Sequence, residues 1–117
     1  MSNKNSNIIN ITNNNLDKIL KKSKKLLLID FWATWCNPCK LLSPIINEIS
    51  YKYIKKIEVY KINIDENKDT VSKYNIKTIP TIFFFRNNKL LYKIYGIQTK
   101  SNICSLIDKH LKLFSNI

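Results

Sequence analysis

Cys36 and Cys39 stand three residues apart in the run Trp35-Cys36-Asn37-Pro38-Cys39-Lys40. At the start of a helix this spacing brings two Cα atoms within the roughly 4.4–6.8 Å that a disulfide requires. Pro38 favours a helix start: its fixed φ suits the first turn, and the N–H it lacks is one the turn leaves without a partner. Cys36 then faces free backbone N–H groups and the positive end of the helix dipole, which favour thiolate over thiol. A free cysteine titrates at about 8.5, and such a position draws it toward neutral pH. Cys36 is therefore the candidate nucleophile. Cys39, one turn inside and better shielded, can resolve a mixed disulfide from within. A structural zinc half-site and an inert disulfide are the competing readings of the pair. Zinc needs four ligands, and only Cys104 and His110 remain, six apart and without a second C-x-x-C. No metal and no cofactor are expected.

Elements on both sides must position this motif. Leu26 to Ala33 reads as a strand with Leu26, Leu28, Asp30 and Trp32 on one face and Leu27, Ile29, Phe31 and Ala33 on the other. Both faces are apolar apart from Asp30, the pattern of a central strand covered on both sides. A carboxylate buried there is costly, so its pKa should rise. After the motif, Leu42, Ile45, Ile46, Ile49 and Tyr53 form a helical stripe, with Pro44 expected to kink the helix.

Upstream, Ile8 to Ile11 is a short strand and Thr12 caps a helix through Leu16, Ile19 and Leu20. Downstream, Ile57 to Ile64 is a strand and Asp65 to Tyr74 a short irregular helix. Thr81–Phe85 and Leu90–Tyr95 are strands joined by a tight hairpin at Arg86-Asn87-Asn88-Lys89. Thr99 caps a last helix with Ile103, Leu106, Ile107 and Phe114 inward. The order β-α-β-α-β-α-β-β-α implies an α/β fold: a central mixed five-stranded sheet with helices on both faces.

The chain has 117 residues, 44% of them hydrophobic, enough for one domain with a real core. A single domain over 1–117 is expected, with loose ends at 1–7 and 114–117. The formal net charge is +12, yet 19 of the 20 basic residues are Lys, and Lys, Asn and Ile make up 55 positions. One Ala and one Gly remain. Drift in an A+T-rich genome gives this bias without a selected partner, and no basic stripe interleaves with aromatics, so no specific nucleic-acid partner is expected. No apolar run approaches a membrane span. The polar start, Met1 to Asn7, lacks the apolar core of a secretory signal and has no Arg, so the expected place is the cytoplasm. There a close cysteine pair is redox-active or metal-binding more often than structural.

The segments Asp30-Phe31-Trp32-Ala33-Thr34-Trp35-Cys36-Asn37-Pro38-Cys39-Lys40, Lys61-Ile62-Asn63-Ile64-Asp65 and Thr78-Ile79-Pro80-Thr81, with Gly96, resemble the thioredoxin family in order and spacing. The resemblance runs from about Ile8 to Leu113. It implies a monomer that reduces protein disulfides by reversible dithiol–disulfide exchange at Cys36 and Cys39. Its implied partners are an NADPH-dependent flavoprotein reductase and disulfide-bearing proteins such as ribonucleotide reductase, peroxiredoxin or methionine sulfoxide reductase. A disulfide oxidase or isomerase, and a non-catalytic protein-binding subunit using the same groove, are the alternatives. By the same resemblance Asp30 is the buried acid that helps deprotonate Cys39, and Lys61 is its neighbour. Asn37 and Pro38 tune the potential. Trp35, Thr78, Ile79, Pro80 and Gly96 form the substrate groove, with the Ile79–Pro80 bond cis and the Ile79 backbone free to pair with an extended substrate.

The chain departs from the family where Asn37, Asn75, Thr78 and Asn88 replace glycines. Asn tolerates positive φ; Thr78, beside the groove, is the harder replacement to accommodate. Trp32 is expected as packing under the site, Cys104 as a half-buried helix residue without a role, and His110 as a surface or core-edge residue.

Overall fold

The computed structural model describes residues 7–115, with side chains as far as residue 113. Its strands are β1 (Ile8–Asn10), β2 (Leu26–Trp32), β3 (Ile57–Asn63), β4 (Thr81–Arg86) and β5 (Lys89–Tyr95). Its helices are α1 (Asn13–Lys22), α2 (Asn37–Lys52), α3 (Lys68–Lys73) and α4 (Lys100–Ser115). The sheet order is β1-β3-β2-β4-β5. β3 pairs parallel with both β1 and β2, while β4 runs antiparallel to β2 and β5. The expected mixed five-stranded sheet is what forms. The expectation of loose ends falls mainly on residues outside the described range; within it, α4 runs on to Ser115.

The two apolar faces of β2 account for the layering. Leu26 and Leu28 join Ile82 and Phe84 of β4 against α2 (Leu42, Ile46, Ile49) and α4 (Ile103, Ile107). Leu27, Ile29 and Phe31 join Phe83 and Phe85 against Leu16 and Leu20 of α1. Fully burying one such side chain contributes about 1.5–3 kcal/mol. A sheet closed on both faces is also what leaves Asp30, mid-strand, at 3% exposure.

Local chemistry sets the boundaries. Thr99 Oγ1 accepts the Asn102 N–H at 3.0 Å and starts α4. At α1 the Thr12 N–H and hydroxyl both donate to Asn15 Oδ1, at 3.4 and 2.9 Å. Pro44 sits within α2 without ending it. The hairpin loop is Asn87-Asn88, with φ 52° and 63°, the pair of left-handed residues that a two-residue turn needs to match strand twist.

Asn75 has φ 54° and closes α3. Its N–H reaches the Ser72 carbonyl at 3.2 Å, and the next N–H, of Ile76, reaches Val71 at 2.9 Å. This is the left-handed helix stop usually built on glycine. Asn75→Gly is therefore expected to raise stability by a few tenths of a kcal/mol. Asn75→Val should lower it by about 1–2 kcal/mol, since a Cβ-branched residue resists the left-handed region. Urea unfolding of the three proteins measures both. Thr78 is not among the left-handed residues. It is exposed, and its carbonyl accepts the Thr81 hydroxyl. The backbone there does not demand glycine.

One residue of α4, Cys104, differs from expectation, while His110 takes the core-edge place of the two expected for it. Cys104 is 7% exposed, buried rather than half-buried, because its helix face packs against α2. His110 is equally buried at the core edge, its ring against Phe84 and Tyr92 and its Nδ1 2.8 Å from the Leu106 carbonyl.

Candidate active site

β2 ends at Trp32, and four residues later the chain turns into α2. Cys36 is the N-cap of that helix and Pro38 lies in its first turn. Cys36 and Cys39 are joined by a disulfide with a Cα–Cα distance of 5.3 Å. Cys36 Sγ also accepts the Cys39 N–H at 3.2 Å. The sulfur thus already holds one of the orphan amides of the helix start, the interaction that favours a thiolate when the bond is open. Both cysteines are nearly buried, at 4% and 6% exposure, and Asn37 and Pro38 between them are exposed.

Ala33, Cys36 and Cys39 form a small cluster against which Trp32, Ile64 and Ile79 pack. Ile79 arrives from 43 positions away in sequence through the loop after α3. The Ile79–Pro80 bond is cis, as the resemblance implies. The Pro80 carbonyl accepts the Gly96 N–H at 2.8 Å, tying this loop to the end of β5. Gly96 has φ 76°, and a Cβ added there would meet nothing within 4 Å; its requirement for glycine is conformational, not steric. Trp35 stands 63% exposed at the lip of the site. Its indole N–H donates to Asp65 Oδ2 at 2.7 Å.

Asp30 and Lys61 are register partners on β2 and β3. Asp30 Oδ1 is buried without a hydrogen-bond partner. Burial pushes its carboxyl up from 3.8 to about 6, and the Lys61 ammonium partly opposes this. Lys61 Nζ lies 4.8 Å above the Trp32 ring. Trp32 is only half-buried, so it both packs under the site and walls a cleft beside Cys39. The broadest cleft described, of about 600 Å³, lies elsewhere, between β1 and α1 around Ile9, Ile11 and Lys18. It contains none of these residues. The exposed rim of Trp35, Asn37 and Pro38 around the buried cysteines suits a protein substrate better than an enclosed small molecule. Among the described residues no three His, Cys, Asp or Glu side chains cluster as a metal site.

Residues 7–109 match the sequence model of one protein family, Thioredoxin. Thioredoxin of Staphylococcus haemolyticus is 38% identical over 104 residues, covering 89% of this chain and 98% of that protein. Thioredoxin of Buchnera aphidicola is 41% identical over 104 residues, covering 89% and 96%.

The chain belongs to the thioredoxin family.

Its activity is dithiol–disulfide exchange, and the close Cys36–Cys39 pair is the redox couple. Thioredoxin-family proteins trade electrons with a reductase and with disulfide-bearing substrates in general. Among the described residues no helix is long and apolar enough to cross a membrane. Sequence reasoning gave Asp65 no role, because a hydrogen bond to a residue 30 positions away has no local signal. It placed Thr34 and Lys40 in the motif without giving them a site role and did not single out Ser43; all three line the cleft with Cys39.

Proposed function

We propose that this protein is a general cytoplasmic reductant of protein disulfides, acting as a monomer, with Cys36 as nucleophile and Cys39 as resolving thiol. The carrying observation is the position of Cys36 Sγ at the start of α2, already accepting a backbone N–H. In the reduced protein the Cys36 thiolate attacks one sulfur of the substrate disulfide. That bond breaks, and the other substrate sulfur leaves as a thiolate and takes a proton from solvent. Cys39 then gives its proton to the Asp30 carboxylate and attacks Cys36 Sγ. The mixed disulfide breaks, the second substrate sulfur leaves, and the Cys36–Cys39 bond has closed. Two electrons have passed to the substrate.

Asp30 suits the base role because an acid near pH 6 holds its proton more readily than an ordinary carboxylate does. Lys61 acts by keeping that acid from rising further. Trp35, Thr78, Ile79, Pro80 and Gly96 frame the groove, where the Ile79 backbone pairs with an extended substrate segment as an added strand. An NADPH-dependent flavoprotein reductase reopens the disulfide. Ribonucleotide reductase, peroxiredoxin and methionine sulfoxide reductase are the acceptor types that fit a general reductant. NADPH-coupled insulin reduction with a bacterial thioredoxin reductase tests the reading directly: steady NADPH oxidation supports it, and none sinks it.

Asn37 and Pro38 are placed to tune the couple. Asn37→Gly frees the backbone between the cysteines, and Gly costs more entropy to order than Asn, unequally in the two redox forms. The expected shift in reduction potential is about 30 mV, with the fold intact; for a two-electron couple this is about 1.4 kcal/mol. Equilibration of both proteins against a glutathione buffer measures it. A shift well above roughly 60 mV, a hundredfold in the equilibrium, would mark Asn37 as a dedicated tuning residue. A shift near zero would make the departure silent.

A further inference from the structure

A cleft of about 140 Å³ opens beside the inner cysteine, with Cys39, Trp32, Thr34, Lys40, Ser43 and Lys61 in its walls. Its chemistry is one-sided, with two ammonium groups, two hydroxyls and no carboxylate. Among the described residues neither Lys40 nor Lys61 is within ion-pair distance of an acid. Lys61 lies over the Trp32 ring, and its charge acts on the buried carboxyl of its register partner Asp30 without an ion pair. Among the described residues the Thr34 and Ser43 hydroxyls have no hydrogen-bond partner, and Lys40 is exposed. Lys73–Asp17 and Lys100–Glu48 are ion pairs elsewhere on the surface; what sets the cleft apart is that two lysines and two hydroxyls line one space. Two cations beside hydroxyl donors are complementary to a carboxylate.

The location ties the cleft to the reaction. Cys39 lines it, and Cys39 Sγ is bonded to Cys36 Sγ, the sulfur that meets substrate. One residue of extended chain spans roughly 3.3–3.6 Å. An extended substrate segment bound at Cys36 would need only a residue or two to bring a side chain to the cleft wall that Cys39 forms.

We propose that this cleft is a subsite for an acidic side chain of the disulfide-bearing partner, so that the protein favours substrates carrying Asp or Glu beside the reducible disulfide. The proposal rests on the reductase reading above and names its substrate class. A carboxylate in the cleft sits between Lys40 and Lys61 and takes hydrogen bonds from Thr34 and Ser43. A lysine at the same substrate position meets like charge and is disfavoured.

Three peptides test it, each with one intramolecular disulfide and differing only in the residue after the first cysteine: Glu, Gln or Lys. The full-length reduced protein should reduce the Glu peptide about fivefold faster than the Gln peptide in low salt, the ratio one exposed ion pair supplies. The Lys peptide should be slowest, and 0.5 M salt should erase the order. Lys40→Gln should cut the Glu preference, read as the ratio of the Glu-peptide to the Gln-peptide rate in the same variant, to about twofold or less. Lys89→Gln, an exposed cation at the far hairpin, should leave the preference intact. Equal rates for all three peptides would overturn the subsite while leaving the reductase reading standing. So would a preference that survives Lys40→Gln, or one that Lys89→Gln removes equally, since that would be the field of the whole +12 surface. Failure to reduce any peptide would instead defeat the underlying reading.

Discussion

Cys39→Ser arrests the reaction half-way. The Cys36 thiolate of this variant still attacks a substrate disulfide, but no second thiol remains to release it. The expected product is a stable mixed disulfide between Cys36 and the substrate, visible as a mass or gel shift that dithiothreitol reverses. Cys36→Ser fails one step earlier: a serine hydroxyl does not ionise near neutral pH, so turnover drops to the rate without protein and no adduct forms. Both follow from the asymmetry at the α2 N-terminus, where Cys36 Sγ takes the backbone N–H of Cys39 and not the reverse. Insulin turnover together with adduct mass spectrometry reads the pair. If Cys39→Ser turns over normally, or if the adduct forms through Cys39 in the Cys36→Ser protein, the assigned order of attack is wrong. Cys104→Ser is the built-in comparison. That thiol lies in the α2–α4 core, so the change should leave turnover unaltered.

Asp30→Asn should stabilise the oxidised protein at neutral pH, with the size of the gain set by pH. Well below 3.8 the carboxyl is neutral in the folded and unfolded chains alike, and parent and variant should be similar in stability. Between 3.8 and about 6 the unfolded chain releases its proton while the folded chain keeps it. The folded state then binds more protons, so parent stability falls as pH rises through this window. Above it both forms are ionised and the full burial penalty applies. A shift of about two units corresponds to about 3 kcal/mol, or roughly 10 °C in Tm for a chain of this size. The amide keeps a buried polar atom, so the observed gain should fall somewhat short of that.

The difference between variant and parent isolates Asp30 from other carboxylates titrating in the same range. Thermal melts at pH 3.5, 5 and 7 should show the gap opening with pH. A gap that is flat with pH, or a less stable variant at pH 7, would contradict the uncompensated burial of Asp30. The same substitution removes the proposed base for Cys39. Substrate reduction should slow by up to roughly a hundredfold, the lower end of what a positioned base supplies. The parent's rise in rate through about pH 6 should vanish. Activity and stability thus move in opposite directions, which a purely structural Asp30 would not produce.

The sequence by itself determined whatever depends on neighbours along the chain. The two apolar faces of Leu26 to Ala33 made β2 a covered strand and placed Asp30 inside it. Pro38 started α2 at the cysteines, and Asn87-Asn88 made the hairpin. Thr99 capped α4, and asparagine carried the left-handed stop at residue 75. The spacing of Cys36 and Cys39 together with the distant Thr78-Ile79-Pro80-Thr81 was enough to indicate the family and its chemistry. These signals are caps, periodicities and φ preferences, each acting within a turn or two of chain.

The tertiary structure decided what depends on pairs far apart in sequence. The β2–β3 register set Lys61 beside Asp30; a slip of one residue would turn every side chain of a strand to the opposite face. Loop packing delivered Ile79 onto the cysteines and bound Asp65 to the Trp35 indole. Helix packing buried Cys104 and His110 on a helix whose sequence marks neither as core. It also gathered Lys40, Lys61, Thr34 and Ser43 around one cleft. Register and docking are chosen by the fit of whole faces, sheet on helix, so the positions of these side chains exist only once the core has closed.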